Sequence, residues 1–112
     1  MLLLAGSISA GAPLAITVSP KQSFAPASVL IRLSIEPTTG NRLVEVDIDS
    51  NEFYRSSQVT LEGDRGPRTV LLAFHDIPGG HYKVRGILSD AGGHEVAIAH
   101  QDIVVIPSGR EH

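Results

Sequence analysis

The 112 residues carry a formal charge of −3 and contain neither cysteine nor tryptophan. That size suits one domain, and the composition excludes a disulfide, a thiol nucleophile and a thiolate-held metal. The acidic balance argues against a nucleic-acid partner, because phosphate contacts require a basic surface.

Hydrophobic residues make up 42% of the chain, yet it has only three Phe and two Tyr. The core must therefore be built from Val, Leu and Ile, whose β-branched members favour strands. Eleven Gly and seven Pro punctuate the sequence into short elements.

Residues 1–15 are uncharged, small and mildly apolar. They read as a disordered or apolar leader of the kind left by a truncated signal peptide, with a mis-assigned start as the alternative. On the signal reading the protein is exported and the mature chain begins near Ile16. Ser7 stands where a lipidated cysteine would be needed. No run approaches the ~18 apolar residues of a membrane-spanning helix.

Short elements follow in series. Ala15–Ser19 is a strand closed by Pro20, and Lys21–Ser28 reads as a linker. Ser28–Glu36 alternates, with Val29, Ile31, Leu33 and Ile35 inward, and Arg42–Asp49 alternates with Val44, Val46 and Ile48 inward. Phe53–Glu62 holds one or two short strands with Ser57, Val59 and Leu61 on one face. Arg68–His75 places Val70, Leu72 and Phe74 inward, and Tyr82–Ser89 places Val84, Gly86 and Leu88 inward. After the glycine turn at Asp90-Ala-Gly-Gly93 comes a long strand, His94–Ile106. Val96 and Ile98 are expected inward, with a bulge near His100–Asp102.

Seven strands at this spacing, separated by turn chemistry, describe a two-sheet antiparallel sandwich over residues 16–107, followed by a polar tail at 108–112. The segment Asp76-Ile-Pro-Gly-Gly-His-Tyr-Lys-Val-Arg-Gly86 delivers Tyr82 to the start of a strand, where a corner tyrosine bonds backbone upstream. With the later Asp90-Ala-Gly-Gly93 turn, it resembles the immunoglobulin-like and fibronectin type III-like domains of bacterial extracellular proteins. The resemblance implies an all-β immunoglobulin-like sandwich. The missing cysteine pair and core tryptophan exclude an antibody-type domain, and a transthyretin-like sandwich is the alternative.

Asp47, Asp49, Asn51 and Glu52 begin like a calcium loop, but Glu52 replaces the glycine of position six and Gln58 the glutamate of position twelve. In immunoglobulin topology this stripe faces Lys83 and Arg85, so a cross-paired, solvated face accounts for both charge sets. The histidines at 75, 81, 94, 100 and 112 are isolated, without metal-ligand spacing. Ser56-Ser57 lacks the context of a nucleophile. Phe53-Tyr54-Arg55 has the composition of a binding patch, against the plainer reading that one ring caps the core and the other is exposed. No catalytic, cofactor or metal site is expected. The functional expectation is a non-enzymatic, exported interaction or structural module with a protein partner. A self-assembling subunit using its N-terminal segment for strand addition and an accessory carbohydrate-binding module are the alternatives.

Overall fold

The computed structural model describes residues 12–108. Eight strands make two sheets: β1 (Leu14–Ser19), β2 (Gln22–Phe24), β3 (Ala27–Ile35), β4 (Asn41–Asp49), β5 (Tyr54–Thr60), β6 (Thr69–Ile77), β7 (Gly80–Asp90) and β8 (Glu95–Ile106). One sheet has the order β1-β3-β6 and the other β2-β8-β7-β4-β5. All pairings are antiparallel except that of β2 with β8, which is parallel. This is an immunoglobulin-like sandwich. β4 lies beside β7 as that topology requires, with Asp47 opposite Arg85 and Asp49 opposite Lys83.

The alternation read in β3 and β4 is present, and Ile31, Leu33, Val44, Val46 and Ile48 are fully buried. Each such side chain contributes about 1.5–3 kcal/mol on leaving water. The tight centre depends on Gly86: a Cβ there would meet Leu33 Cδ2 at 3.0 Å and Leu14 Cδ2 at 3.5 Å. β1 thereby sinks close to β7 and β8.

The strand count exceeds seven because the expected linker contains β2. The chain leaves the first sheet at Ser19-Pro20, pairs three residues with β8, and returns after Ala25-Pro26; both peptide bonds are cis. Composition concealed this strand, since Lys21–Ser28 has no usable alternation and its pairing is supplied entirely by β8.

The Tyr82 hydroxyl donates to the Pro78 carbonyl at 2.7 Å, with the ring 2% exposed, which is the expected corner. At the opposite end of the sandwich, the buried Asn41 holds the β3–β4 connection. Its Nδ2 donates to Glu36 O at 2.9 Å and its Oδ1 accepts from Thr38 Oγ1 at 2.9 Å. The leader expectation lies outside the described residues except at positions 12–15, of which Leu14 and Ala15 belong to β1. Most of the expected tail lies outside them as well. No helix among the described residues is long and apolar enough to cross a membrane.

Candidate functional site

The outer face of the five-stranded sheet collects most of the residues that the sequence singled out. Strand register lays them in rows: Tyr54, Asp49, Lys83 and Asp102; then Ser56, Asp47, Arg85 and His100; then Gln58, Glu45, Ile87 and Ile98. Alternation places each set on one face.

Asp47 is only 2% exposed although it sits on this outer side, because Arg85 lies over it. The guanidinium grips both carboxylate oxygens, Nε to Oδ1 at 3.1 Å and Nη2 to Oδ2 at 2.9 Å. These hydrogen bonds, and then the charge of Asp47, raise the Arg85 pKa above its ordinary value. Asp47 is thus committed to a cross-strand ion pair, and Asp49 stands opposite Lys83. Asn51 and Glu52 are exposed in the following turn, where the Ser50 hydroxyl accepts from the Glu52 N–H. Among the described residues, no group of three or more His, Asp or Glu is placed to hold a metal ion.

Beside this turn is a shallow depression of about 460 Å³ lined by Asp49, Asn51, His81, Lys83 and Asp102. The histidines are dispersed. His75 Nδ1 lies 3.0 Å from Ser28 Oγ, His94 belongs to the β7–β8 turn, and His100 faces solvent opposite Arg85. His112 falls outside the described residues. Phe53 packs edge-on against Tyr82 with ring centroids 6.0 Å apart, and Arg55 covers its other side at 5.0 Å. Arg55 Nη1 also reaches the His75 carbonyl at 2.6 Å, while Tyr54 is 56% exposed. The plainer reading of this triplet holds: Phe53 caps the core and Tyr54 is exposed.

β8 departs from its expected phase. Val96 and Ile98, expected inward, are 45% and 51% exposed, while Ala97 and Ala99 face the core. The register shift falls between Leu88 and Ser89, so Val96 is the extra residue, and the inward phase runs unbroken from Ala97 to Val105 past His100–Asp102. At Gly86, which pairs with Ala99, Leu33 and the β1 residues Leu14 and Ile16 already fill the space beneath the sheet, so small residues meet there. The Ala97 and Ala99 alternation carried this signal in the sequence. Ile87 and Leu43, both half-buried, adjoin Val96 and Ile98 in an outward apolar patch.

No protein-family model matches the chain, and no curated protein matches it in sequence. Its fold is similar to several solved structures. One is the PKD domain of an M14-like peptidase from a Thermoplasmatales archaeon (15% identity, TM-score 0.56, covering 86% of this chain and 97% of that one). A second is the CARDB domain of a Pyrococcus furiosus protein in complex with di-metal ions (13%, 0.53, 85% and 92%). A third is a superoxide reductase, neelaredoxin, from Ignicoccus hospitalis (11%, 0.55, 91% and 87%). At these identities the likeness is one of fold.

Proposed function

We propose that this chain is a non-enzymatic, exported interaction module that binds a protein partner on the outer face of its five-stranded sheet. The observation that carries the reading is the reversed pattern in β8, with Val96 and Ile98 turned to solvent and alanines turned inward. A strand segment that turns its large apolar side chains to its exposed face, as Val96–Ala99 does before Ile103 and Val105 return to the core, breaks the ordinary core-facing pattern, as functional surfaces do. Charged residues border the patch, Glu45 and Glu95 among them, which matches the apolar centre and polar rim of a protein interface. The chemically capable side chains elsewhere serve the scaffold: Asp47 holds Arg85, Asn41 holds a loop, and Asp90 holds a turn. The likeness to a PKD domain and a CARDB domain supports a module of this kind.

Export rests on the small, apolar character of the first residues. Because Leu14 is buried and paired with Ile35, any processing site falls before Leu14, slightly upstream of Ile16. The test is recovery of the protein from its native source, with intact-mass analysis and capture of bound proteins by wild type and by Ile98→Lys. A trimmed N-terminus and a partner that wild type retains and Ile98→Lys releases are expected. A cytosolic protein retaining Met1 refutes export, and partners indifferent to Ile98→Lys refute the surface. Of the alternatives, carbohydrate binding has Tyr54 as its exposed platform, and strand addition is favoured by the edges of β5 and β6, which no strand among the described residues covers.

A further inference from the structure

We infer that this chain also pairs with a second copy of itself through the edge of β6, antiparallel about a two-fold axis at Leu72. The three-stranded sheet ends at β6, and no strand among the described residues covers that edge. The bond from Ile35 N–H to Arg68 C=O (2.8 Å) sets the alternation along the strand. Arg68, Val70, Leu72 and Phe74 direct their backbone groups to β3; Thr69, Leu71, Ala73 and His75 direct theirs outward. Arg55 confirms the sense of this alternation by donating to the His75 carbonyl at 2.6 Å; the ladder therefore centres on Leu71 and Ala73, and Arg55 has to yield that carbonyl for it to reach His75. From Thr69 to Phe74 there is no lysine, proline or acidic residue of the kind that protects an edge. The outer side chains there are apolar: Leu71 is 57% exposed, with Ala73 on the same strand and Leu30 (45%) beside it on β3.

The strand is complementary to its own reverse. Pairing about Leu72 sets Leu71 opposite Ala73 of the second copy, and both residues carry outward backbone groups, so the hydrogen-bond phase is correct. The same register brings Arg68, just before β6, to the end of the ladder near Asp76 of the second copy, where the chain bends at the left-handed Asp76. A closed two-fold pair results, with each apolar Leu71 covered. The β5 edge is a poorer candidate. Its outward backbone groups belong to Tyr54, Ser56, Gln58 and Thr60, and the equivalent pairing about Ser57 sets Glu52 against Glu62, like charge against like.

Sedimentation velocity on the purified full chain, from micromolar to about 1 mM, spans the range of a weak specific dimer. The wild type is expected to dimerise reversibly. Leu71→Lys, a change at an exposed position, and Arg68→Glu are each expected to weaken dimerisation by about tenfold or more, with melts confirming that both variants fold. The chain lacks cysteine, so single cysteines report the register: Leu72→Cys should give a disulfide-linked dimer under mild oxidation, because residues at the axis face each other closely. Ser57→Cys should remain monomeric. A wild type that is monomeric throughout, a dimer indifferent to Leu71→Lys, or preferential cross-linking of Ser57→Cys would overturn the inference. So would a dimer that leaves Leu72→Cys unlinked, as addition of a neighbour's N-terminal segment would produce.

Discussion

The side-chain amide of Gln101 takes both outward backbone bonds of Val18: Val18 N–H donates to Oε1 and Gln101 Nε2 donates to Val18 C=O, each at 3.0 Å. β1 is an edge strand, and its even-numbered residues turn their backbone groups away from β3, as the bond from Glu36 N–H to Pro13 C=O fixes. Gln101, on the inner side of β8, substitutes for a missing strand and clips the two sheets together. One edge of the smaller sheet is thereby capped at Val18, while no strand among the described residues covers the β6 edge, where Arg55 bonds the His75 carbonyl.

Replacing Gln101 by Leu keeps the volume and removes both partners of Val18. The cost expected is about 1–3 kcal/mol, the desolvation penalty of a buried group left unbonded. Urea melts measure it, and Gln101→Glu, which keeps an acceptor and loses the donor, should also lower the midpoint. An unchanged midpoint for Gln101→Leu would mean that water replaces the amide at no cost.

Tyr82→Phe removes the hydroxyl bonded to Pro78 C=O and is expected to cost about 1–3 kcal/mol. Tyr82→Ala also removes a core ring that packs on Phe53, and should cost about 3–5 kcal/mol. Neither change should reach the β8 surface in protein that still folds. Equal melting of Tyr82→Phe and wild type would deny the corner its energetic role.

How much of this was legible in the sequence depended on whether side-chain pattern or chain packing decided the position. β3, β4 and β6 were legible because both alternation and burial point the same way along Val29–Ile35, Val44–Ile48 and Val70–Phe74. Tyr82 was legible because its turn is written locally, in Pro78-Gly79-Gly80. β2 was hidden, as its three residues gain a partner only when the chain meets β8. The phase of β8 was misread because apolarity pointed to Val96 and Ile98, whereas the inward positions are Ala97 and Ala99, the latter beside Gly86, beneath which Leu14 and Ile16 of β1 are packed. Gln101 lies in the stretch His100–Asp102 that was expected to bulge; its partner is 83 positions away, at Val18.

The Asp47–Arg85 pair should make the acidic stripe indifferent to calcium. Millimolar calcium or EDTA is expected to leave the melting temperature unchanged, whereas a ligand at a hundredfold excess over its Kd would stabilise by about 2.7 kcal/mol. Arg85→Ala should cost about 1–2 kcal/mol. That is below the roughly 3–5 kcal/mol of a fully buried pair, because the Arg85 side chain is 41% exposed. A calcium-dependent rise in melting temperature that disappears in Asp47→Asn would contradict this assignment.

Asp76 has a φ of 61°, the left-handed region, where a β3–β6 register shift brings the chain into the Tyr82 turn. Aspartate and asparagine tolerate this conformation better than most residues, and glycine adopts it freely. Asp76→Gly is therefore expected to be neutral or slightly stabilising, and Asp76→Asn neutral. Asp76→Val should cost about 1–3 kcal/mol, with no buried contact to explain the loss. Chemical denaturation of the three variants checks the order, and a valine variant as stable as the glycine one would show that the turn relaxes.

Acid should loosen the β7–β8 hairpin first at Asp90. Its Oδ1 accepts from the backbone N–H groups of His94 and Gly92, each at 3.0 Å, and lies 3.3 Å from His94 Nδ1. The bond from the His94 N–H is the largest cause of the lowered pKa of Asp90. Because the folded-state value lies below the unfolded one, the carboxylate's contribution to stability is fully present above about pH 4 and is lost as pH falls through the lowered folded-state value. Amide exchange at Gly92 and His94 should therefore accelerate as the pH falls below about 4, beyond the intrinsic pH dependence of exchange. Asp90→Asn keeps an oxygen acceptor but does not titrate, so it should flatten the acid limb of the stability curve. A variant whose acid limb matches the wild type would show that the hairpin's acid sensitivity originates at another carboxylate.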